Sequence, residues 1–328
     1  IKKVKMKQLL YLFVLCWVFS CEDANAKKTY KANSSGIINS LLVVMDDELW
    51  SGPVGDAVRT NIGSEIYGLP QAEPQFDLRQ VPIRVFSDFV RLNRTVLKVC
   101  LAEKVSLKYY KNPYATPQRM AVVSAPDLKA LIGLIQDNAQ SLITNFKSLE
   151  FKEKQRLIDK ALFKSERIEA TLKIKLRFST AYRIAKAEGD FFWIRRDTKT
   201  GSLNMLLYSL PLEDFKTRKA LSEFVFQKRD SIGKKFIPGP VEGNFMTTER
   251  AYKPIFKSTT LSGFPALETR SLWKIEGAFM SGPFVNYCIE DKKNNRFLVA
   301  DGFVYAPSVR KRDYMFELET MIRSIRIQ

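Results

Sequence analysis

The chain has 328 residues, 45% of them hydrophobic and 12% aromatic, which places it among folded proteins with a sizeable core and not among disordered chains. Its 53 Lys and Arg against 35 Asp and Glu give a formal charge of +18, a balance suited to phosphate headgroups, lipopolysaccharide or acidic polysaccharide. Histidine is absent, which excludes Ser-His-Asp and Cys-His nucleophile activation, His-ligated zinc and His proton shuttles.

At the N-terminus Lys2, Lys3, Lys5 and Lys7 precede an unbroken apolar run from Leu9 to Phe19, and Glu22 and Asp23 follow it. This is the layout of an export signal. A helix of that length rises about 16 Å, too short for a hydrocarbon core of about 30 Å. Met6 reads as the natural start, with Ile1–Lys5 an upstream artefact or an alternative start. The run closes with Val18-Phe19-Ser20-Cys21, which resembles a bacterial lipobox in the looser form of Bacteroidota. That resemblance implies cleavage before Cys21 and lipidation of its thiol, which would tie the chain to the outer membrane. Residues 6–20 are therefore read as a lipoprotein signal peptide and the polar residues 21–36 as a flexible tether. Glu22-Asp23 resemble a surface-export signal, so display at the cell surface is expected, with a periplasm-facing body as the alternative. Export argues against a nucleic-acid partner.

Along residues 37–147 strand and helix signals alternate, predicting an N-terminal α/β sandwich. "INSLLVVMD" reads as a buried strand, "VGDAVRTNIG" as helical, "FDLRQVPI" as a strand, "RVFSDFVRLN" as a short helix and "TVLKVCLAE" as a strand. "YYKNPYATPQ" reads as a turn-rich loop and "RMAVVSA" as a strand. Pro126 then opens a helix whose Leu128, Leu131, Ile132, Ile135, Leu142, Ile143 and Phe146 make one apolar face. A second helix over Phe151–Thr171 completes an expected helical hairpin, with residues 148–171 as the connecting helix. Residues 172–328 read as an α+β domain, an antiparallel sheet backed by helices. Its strands are "LKIKLRF", "GDFFWIRRD", "SLNMLLYSL", "ETRSLWKIEG" and "FVNYCIEDKKNNRFLVADGFVYAP", with turns at Thr200-Gly201 and Asn294-Asn295 and a last helix over Ser308–Ile325.

Motifs of chemistry are sparse. Asp46-Asp47-Glu48 could hold a hard cation or work as acid and base, but neighbours on a strand point to opposite faces, and a solvated turn is the plainer reading. Ser231-x-x-Lys234 and Lys199-Thr200-Gly201 match parts of the penicillin-binding signature in the wrong order. Cys100 and Cys288 are either one disulfide or two buried thiols. The candidate ligand face is aromatic and basic, comprising Trp193, Arg195, Arg196, Arg270 and Trp273, with Trp50 a further aromatic and Arg310-Lys311-Arg312 a contact surface at the last helix. Packing in the core is the competing reading of each tryptophan.

The runs "GLPQAEPQFDL", "FFWIRRDTKTGSLNMLLYSLP", "ETRSLWKIEGAFMSGPF" and "GFVYAPSVRKRDYMFELE", in that order, resemble the Bacteroidota lipoproteins grouped as domain of unknown function 4837. The resemblance runs from about Ile37 to the C-terminus, with Ser271 and Ser281 standing where the family pattern has glycine. It implies a lipid-anchored envelope protein and supplies no activity and no catalytic residue. The second half also faintly resembles PsbP-like domains, binding or accessory modules, an analogy of fold alone. The expectation is a non-catalytic envelope lipoprotein, without cofactor, that binds a partner protein or an anionic envelope polymer. The alternative is a histidine-free, carboxylate-dependent glycan hydrolase.

Overall fold

The run Ser40–Val44 is buried along its whole length, as a strand inside a parallel sheet must be, and it forms β1. The computed structural model describes residues 31–213, 215 and 217–328. Two short helices follow β1, α1 (Asp47–Ser51) and α2 (Pro53–Ala57), the latter running into a π turn at Val58–Ile62. The remaining strands of the first sheet are β2 (Asp77–Val81), β3 (Thr95–Leu101), β4 (Ser106–Lys111) and β5 (Arg119–Ala125). They lie in the order β2-β1-β3-β5-β4, parallel except for β4, which runs antiparallel to β5.

One face of this sheet is covered by α3 (Leu128–Ile158), whose first turn is capped by Asp127 accepting from the Ala130 amide at 2.8 Å. Leu131, Ile135, Leu142, Ile143 and Phe146 of α3 pack on Leu41, Val43, Leu97, Val99 and Val123. The opposite face is smaller, with Leu42, Val44, Val96 and Met120 under Phe86.

The second sheet is antiparallel throughout. After α4 (Glu166–Leu172) come β6 (Arg183–Glu188), β7 (Phe191–Thr198), β8 (Gly201–Pro211), α5 (Arg218–Phe236), β9 (Phe245–Thr248), β10 (Ile255–Leu261), β11 (Phe264–Glu276), β12 (Ala278–Asp291), β13 (Arg296–Tyr305) and α6 (Arg312–Arg323). The order is β9-β11-β12-β13-β8-β7-β6, and β10 pairs along the first half of the β11 edge whose second half pairs with β9. Helix α6 packs on one face, placing Met315, Leu318, Met321 and Ile322 against Val285, Tyr287 and Ala300. On the other face α5 sets Phe224, Val225 and Phe226 over Phe284, Cys288 and Val299. At the β7–β8 turn Gly201 has φ +156°, and a Cβ there would lie 1.8 Å from the Tyr305 carbonyl oxygen, so only glycine fits.

An α+β fold is what the patterning predicts, with local differences, among them the unexpected strands β9 and β10. Where the expected hairpin would turn, the chain runs on as one helix to Ile158, because the joint "KSLEFKEK" contains neither Gly nor Pro and consists largely of good helix formers. The expected second helix instead breaks after Ile158 and resumes as the separate α4. Part of the expected loop "YYKNPYATPQ" belongs to strand β4, an edge strand with little apolar content to betray it. The strictly alternating "LKIKLRF" keeps Leu172, Ile174, Leu176 and Phe178 buried, yet only Ile174–Lys175 is a strand, paired with Arg326–Ile327. Helix α5 is unexpected, since its apolar face is broken by Arg229 and Gly233. Ser34 and Ser35, within the expected tether, donate to the carbonyls of Thr116 and Leu92. The signal segment and Cys21 lie outside the described residues. Cys100 on β3 and Cys288 on β12 are both free thiols, and burial pushes the Cys288 thiol up to about 12.

Candidate ligand-binding cleft

Helix α3 carries Glu150 and Glu153 among its buried residues with Lys147 half-buried beside them, and α6 carries Glu317 and Glu319 on its buried side. These groups lie where the two helices meet. Lys154 of α3 pairs with Glu317 at 2.5 Å, and the Phe151 and Phe316 rings stack at 4.2 Å. Between α3, α6, strands β10 and β11 and the loop of residues 66–75 lies a cleft of about 640 Å³, within the usual size of a small-molecule site.

Its floor is a charged network. Arg270 of β11 donates through Nε to Glu268 at 2.6 Å and through Nη2 to Glu319 at 2.6 Å. Arg323, one turn beyond Glu319 on α6, donates to the same carboxylate through Nε at 2.9 Å and Nη2 at 2.7 Å, and its guanidinium lies over Phe151. Tyr287 donates to Glu268 at 2.9 Å. Burial by itself would raise the Glu319 pKa, but Arg270 and Arg323 outweigh it and hold the carboxyl at about 2. For Arg270 burial works to lower the pKa, and Glu319 and Glu268 overcome it, so the guanidinium stays charged.

The other wall holds Lys147. Its ammonium donates to Asn39 Oδ1 at 2.7 Å and to the Gln75 carbonyl at 2.6 Å, over the Phe76 ring. Burial lowers its pKa to about 7, the like charge of Arg312 adds to the shift, and Glu150, Glu319 and Asp313 oppose it. The cleft is thus lined by five basic side chains, Lys147, Lys257, Arg270, Arg312 and Arg323, against two carboxylates. Gly68, on the loop, has φ +91°, and its position against Arg270 leaves only 3.2 Å between an added Cβ and that side chain.

The residues expected to form a ligand face fall on both sides of the second sheet. Arg270 and Arg312 line the cleft. Arg196 faces α6 as well, paired with Glu317 at 2.5 Å and lying over Tyr182. Trp193 and Trp273 belong to the α5 face: Trp193 donates to Asn204 at 3.0 Å, and the buried Trp273 donates to the Val304 carbonyl at 3.1 Å. Arg195 lies over Trp193 and pairs with Asp197.

The basic run before α6 is tied to the first sheet. Glu73 accepts from the Lys311 and Arg312 amides at 2.7 and 2.9 Å, Arg312 and Arg310 pair with Asp77 at 2.6 and 3.0 Å, and Lys311 donates to Gln71. Carboxylates brought from elsewhere thereby answer the cations that sit badly at a helix N-terminus.

Several groups of the cleft were not expected from sequence: Lys147, Phe151, Glu319 and Arg323. Their signal was a charge on an apolar stripe, Lys147 beside Ile143 and Phe146, and an i,i+4 acid–base pair on α6. Asp46 and Asp47 engage the Ile83 amide, Gln80 and Arg84, and no group of three potential ligands for a metal ion occurs among the described residues. Ser231 donates to the Gln227 carbonyl one turn back on α5, and Lys199-Thr200 form the β7–β8 turn.

With this geometry in place, the comparisons define the class of protein. A family described as Domain of unknown function (DUF4837) matches residues 161–324, half of the chain, and the chain belongs to that family. A second, Domain of unknown function (DUF8532), matches residues 34–159. No curated protein matches the chain. Among solved structures it is similar to LpqN, described as involved in cell envelope biogenesis of Mycobacterium tuberculosis, at 13% identity and a TM-score of 0.30 over 47% of this chain and 83% of that one. A likeness this slight carries no functional argument. Among the described residues no helix is long and apolar enough to cross a membrane.

Proposed function

We propose that the protein is a non-catalytic binding or accessory component of the cell envelope, held at the outer membrane by lipid on Cys21, and that its cleft takes an anionic ligand. The observation that carries this reading is the charge of the cleft: five cations line it, and the two carboxylates are already engaged by Arg270 and Arg323. Glu319, held at about 2, is unsuited to the general acid of a hydrolase, which needs a pKa near the working pH. This argues against Glu319 as the acid of a hydrolase within the cleft.

The test is a thermal-shift series on the full chain with phosphorylated, carboxylated and neutral small molecules. Anions are expected to raise the melting temperature, with the gain shrinking at high salt, and neutral analogues to leave it unchanged. Glycan turnover that disappears in Asp46→Asn or Asp47→Asn would overturn the reading. The anchor has its own test. Cys21→Ala is expected to leave the chain unprocessed or free of the outer-membrane fraction, because stable attachment needs two or more acyl chains. The acidic pair Glu22-Asp23 supports display at the cell surface, which protease added to intact cells would report by cleavage of the body.

A further inference from the structure

The cleft's donors are arranged unevenly. Arg270 commits Nε and Nη2 to Glu268 and Glu319, and Arg323 commits the same two nitrogens to Glu319 and Tyr287, so each guanidinium keeps Nη1 free of an acceptor among the described residues. Glu319, gripped by both, fixes the two forks relative to each other. Lys257 stands directly across from Glu268 in the β10–β11 register, is exposed, and enters no ion pair among the described residues. Three cations from three elements, Lys257 of β10, Arg270 of β11 and Arg323 of α6, thus line the same cleft. A tetrahedral phosphate has three terminal oxygens and up to two charges, and it answers three donors better than a planar carboxylate with two oxygens and one charge.

Beside these cations the cleft has an apolar wall. Tyr67 and Ile255 are 42% and 40% exposed at the cleft, and Ile66 lies next to them. Strand alternation puts Ile255 and Lys257 on the same face of β10, so the apolar wall and the ammonium adjoin.

We infer that the cleft binds a phosphate group carried on an apolar stem, with Lys257, Arg270 and Arg323 on the phosphate and Ile66, Tyr67 and Ile255 along the stem. The inference rests on the reading of the cleft as an anion site and narrows its ligand. A lipid headgroup and a soluble phosphate ester share this chemistry, and the stem separates them.

The experiment is calorimetric titration of the full chain, in a neutral maltoside detergent, with hexyl phosphate, inorganic phosphate, glucose 1-phosphate, hexanoate and hexanol. Hexyl phosphate is expected to bind saturably and at least tenfold more tightly than the other four. A charge-assisted hydrogen bond is worth about a factor of ten or more, so Lys257→Gln and Arg323→Gln should each weaken hexyl phosphate about tenfold. Ile255→Ser should bring it close to inorganic phosphate. Should Arg323→Gln fail to fold, Lys257→Gln, on an exposed strand position, still decides the matter. Tighter binding of hexanoate than of hexyl phosphate would overturn the phosphate inference and leave an anion site standing. Glucose 1-phosphate binding as tightly as hexyl phosphate would overturn the apolar stem. Hexyl phosphate binding that neither charge variant weakens would place the site elsewhere and overturn the inference, and binding of no anion at all would overturn both readings.

Discussion

Lys147 shows how one side chain couples the cleft to pH. Burial brings its pKa down to about 7 from the ordinary 10.5, with Arg312 adding to the shift. Between those two values the unfolded chain holds a proton that the folded chain has released, so stability rises with pH across that window. Below about pH 7 both states are protonated, and the full cost of burying the ammonium remains. The slope has an upper bound of about 1.4 kcal/mol per pH unit. Urea midpoints measured from pH 6 to 9.5 should therefore climb for the parent more steeply than for Lys147→Met, and equal slopes would refute the assignment. In the same window a deprotonated Lys147 removes one positive charge from the cleft lining. Binding of an anion that does not itself titrate in this range, such as hexyl sulfate, should weaken as pH passes through 7 for the parent and hold steady for the variant.

Helix α3 is the element on which the two sheets depend, and its ties are polar as well as apolar. Glu150, fully buried, accepts from Arg94 Nε at 2.7 Å, Arg94 Nη2 at 3.1 Å and the Asn39 amide at 2.9 Å, and Arg94 donates further to the carbonyls of Gly36 and Ile37. Removing one partner of such a pair leaves an uncompensated buried charge. Glu150→Ala should accordingly cost about 3–5 kcal/mol in chemical denaturation, and joint replacement of Arg94 and Glu150 by Met should recover most of it. Loss below about 1 kcal/mol for the single variant would mean that water reaches the pair. Much of this element level was readable in the sequence. "RMAVVSA" is β5 as expected, and the alternation of "GDFFWIRRD" and "SLNMLLYSL" gives the β7–β8 hairpin with its turn at Gly201. The cleft was less legible, because Lys147 and Glu150 look like interruptions of an apolar stripe until the groups they meet, Asn39, Gln75 and Arg94, are brought in from distant parts of the chain. Tryptophans drew attention to the α5 face, where Trp273 proves to be core, and only Arg270 and Arg312 of the expected ligand face reach the cleft. Strand alternation already sets Arg195 and Arg196 on opposite faces, but sequence spacing cannot tell which of the two faces will meet a helix.

At the scale of the whole body, residues 34–159 and 161–324 match two separate families, and the seam falls in the short turn Asp159–Ala161 just after α3. Separate families suggest separable units, but the contacts across the seam point the other way. Glu73 of the first half supplies acceptors for the first two amides at the N-terminus of α6, Asp77 pairs with Arg312, Lys154 pairs with Glu317, and Phe151 stacks on Phe316. Several of these groups are buried, so pulling the halves apart would expose unpaired charge and aromatic surface together, a cost that neither half can recover alone. The body should therefore unfold in a single transition, with near-ultraviolet and far-ultraviolet circular dichroism tracing one denaturant curve. Phe151→Ala combined with Glu73→Ala, which removes the stack and the acceptor at the helix start, should separate the two curves or broaden the transition. If the parent already melts in two steps, the seam is a true domain boundary and the cleft between α3, α6 and β10–β11 opens with it. In that event hexyl phosphate seated as inferred would raise the lower transition first, because it would hold Ile66 and Tyr67 of one half and Lys257, Arg270 and Arg323 of the other in place together.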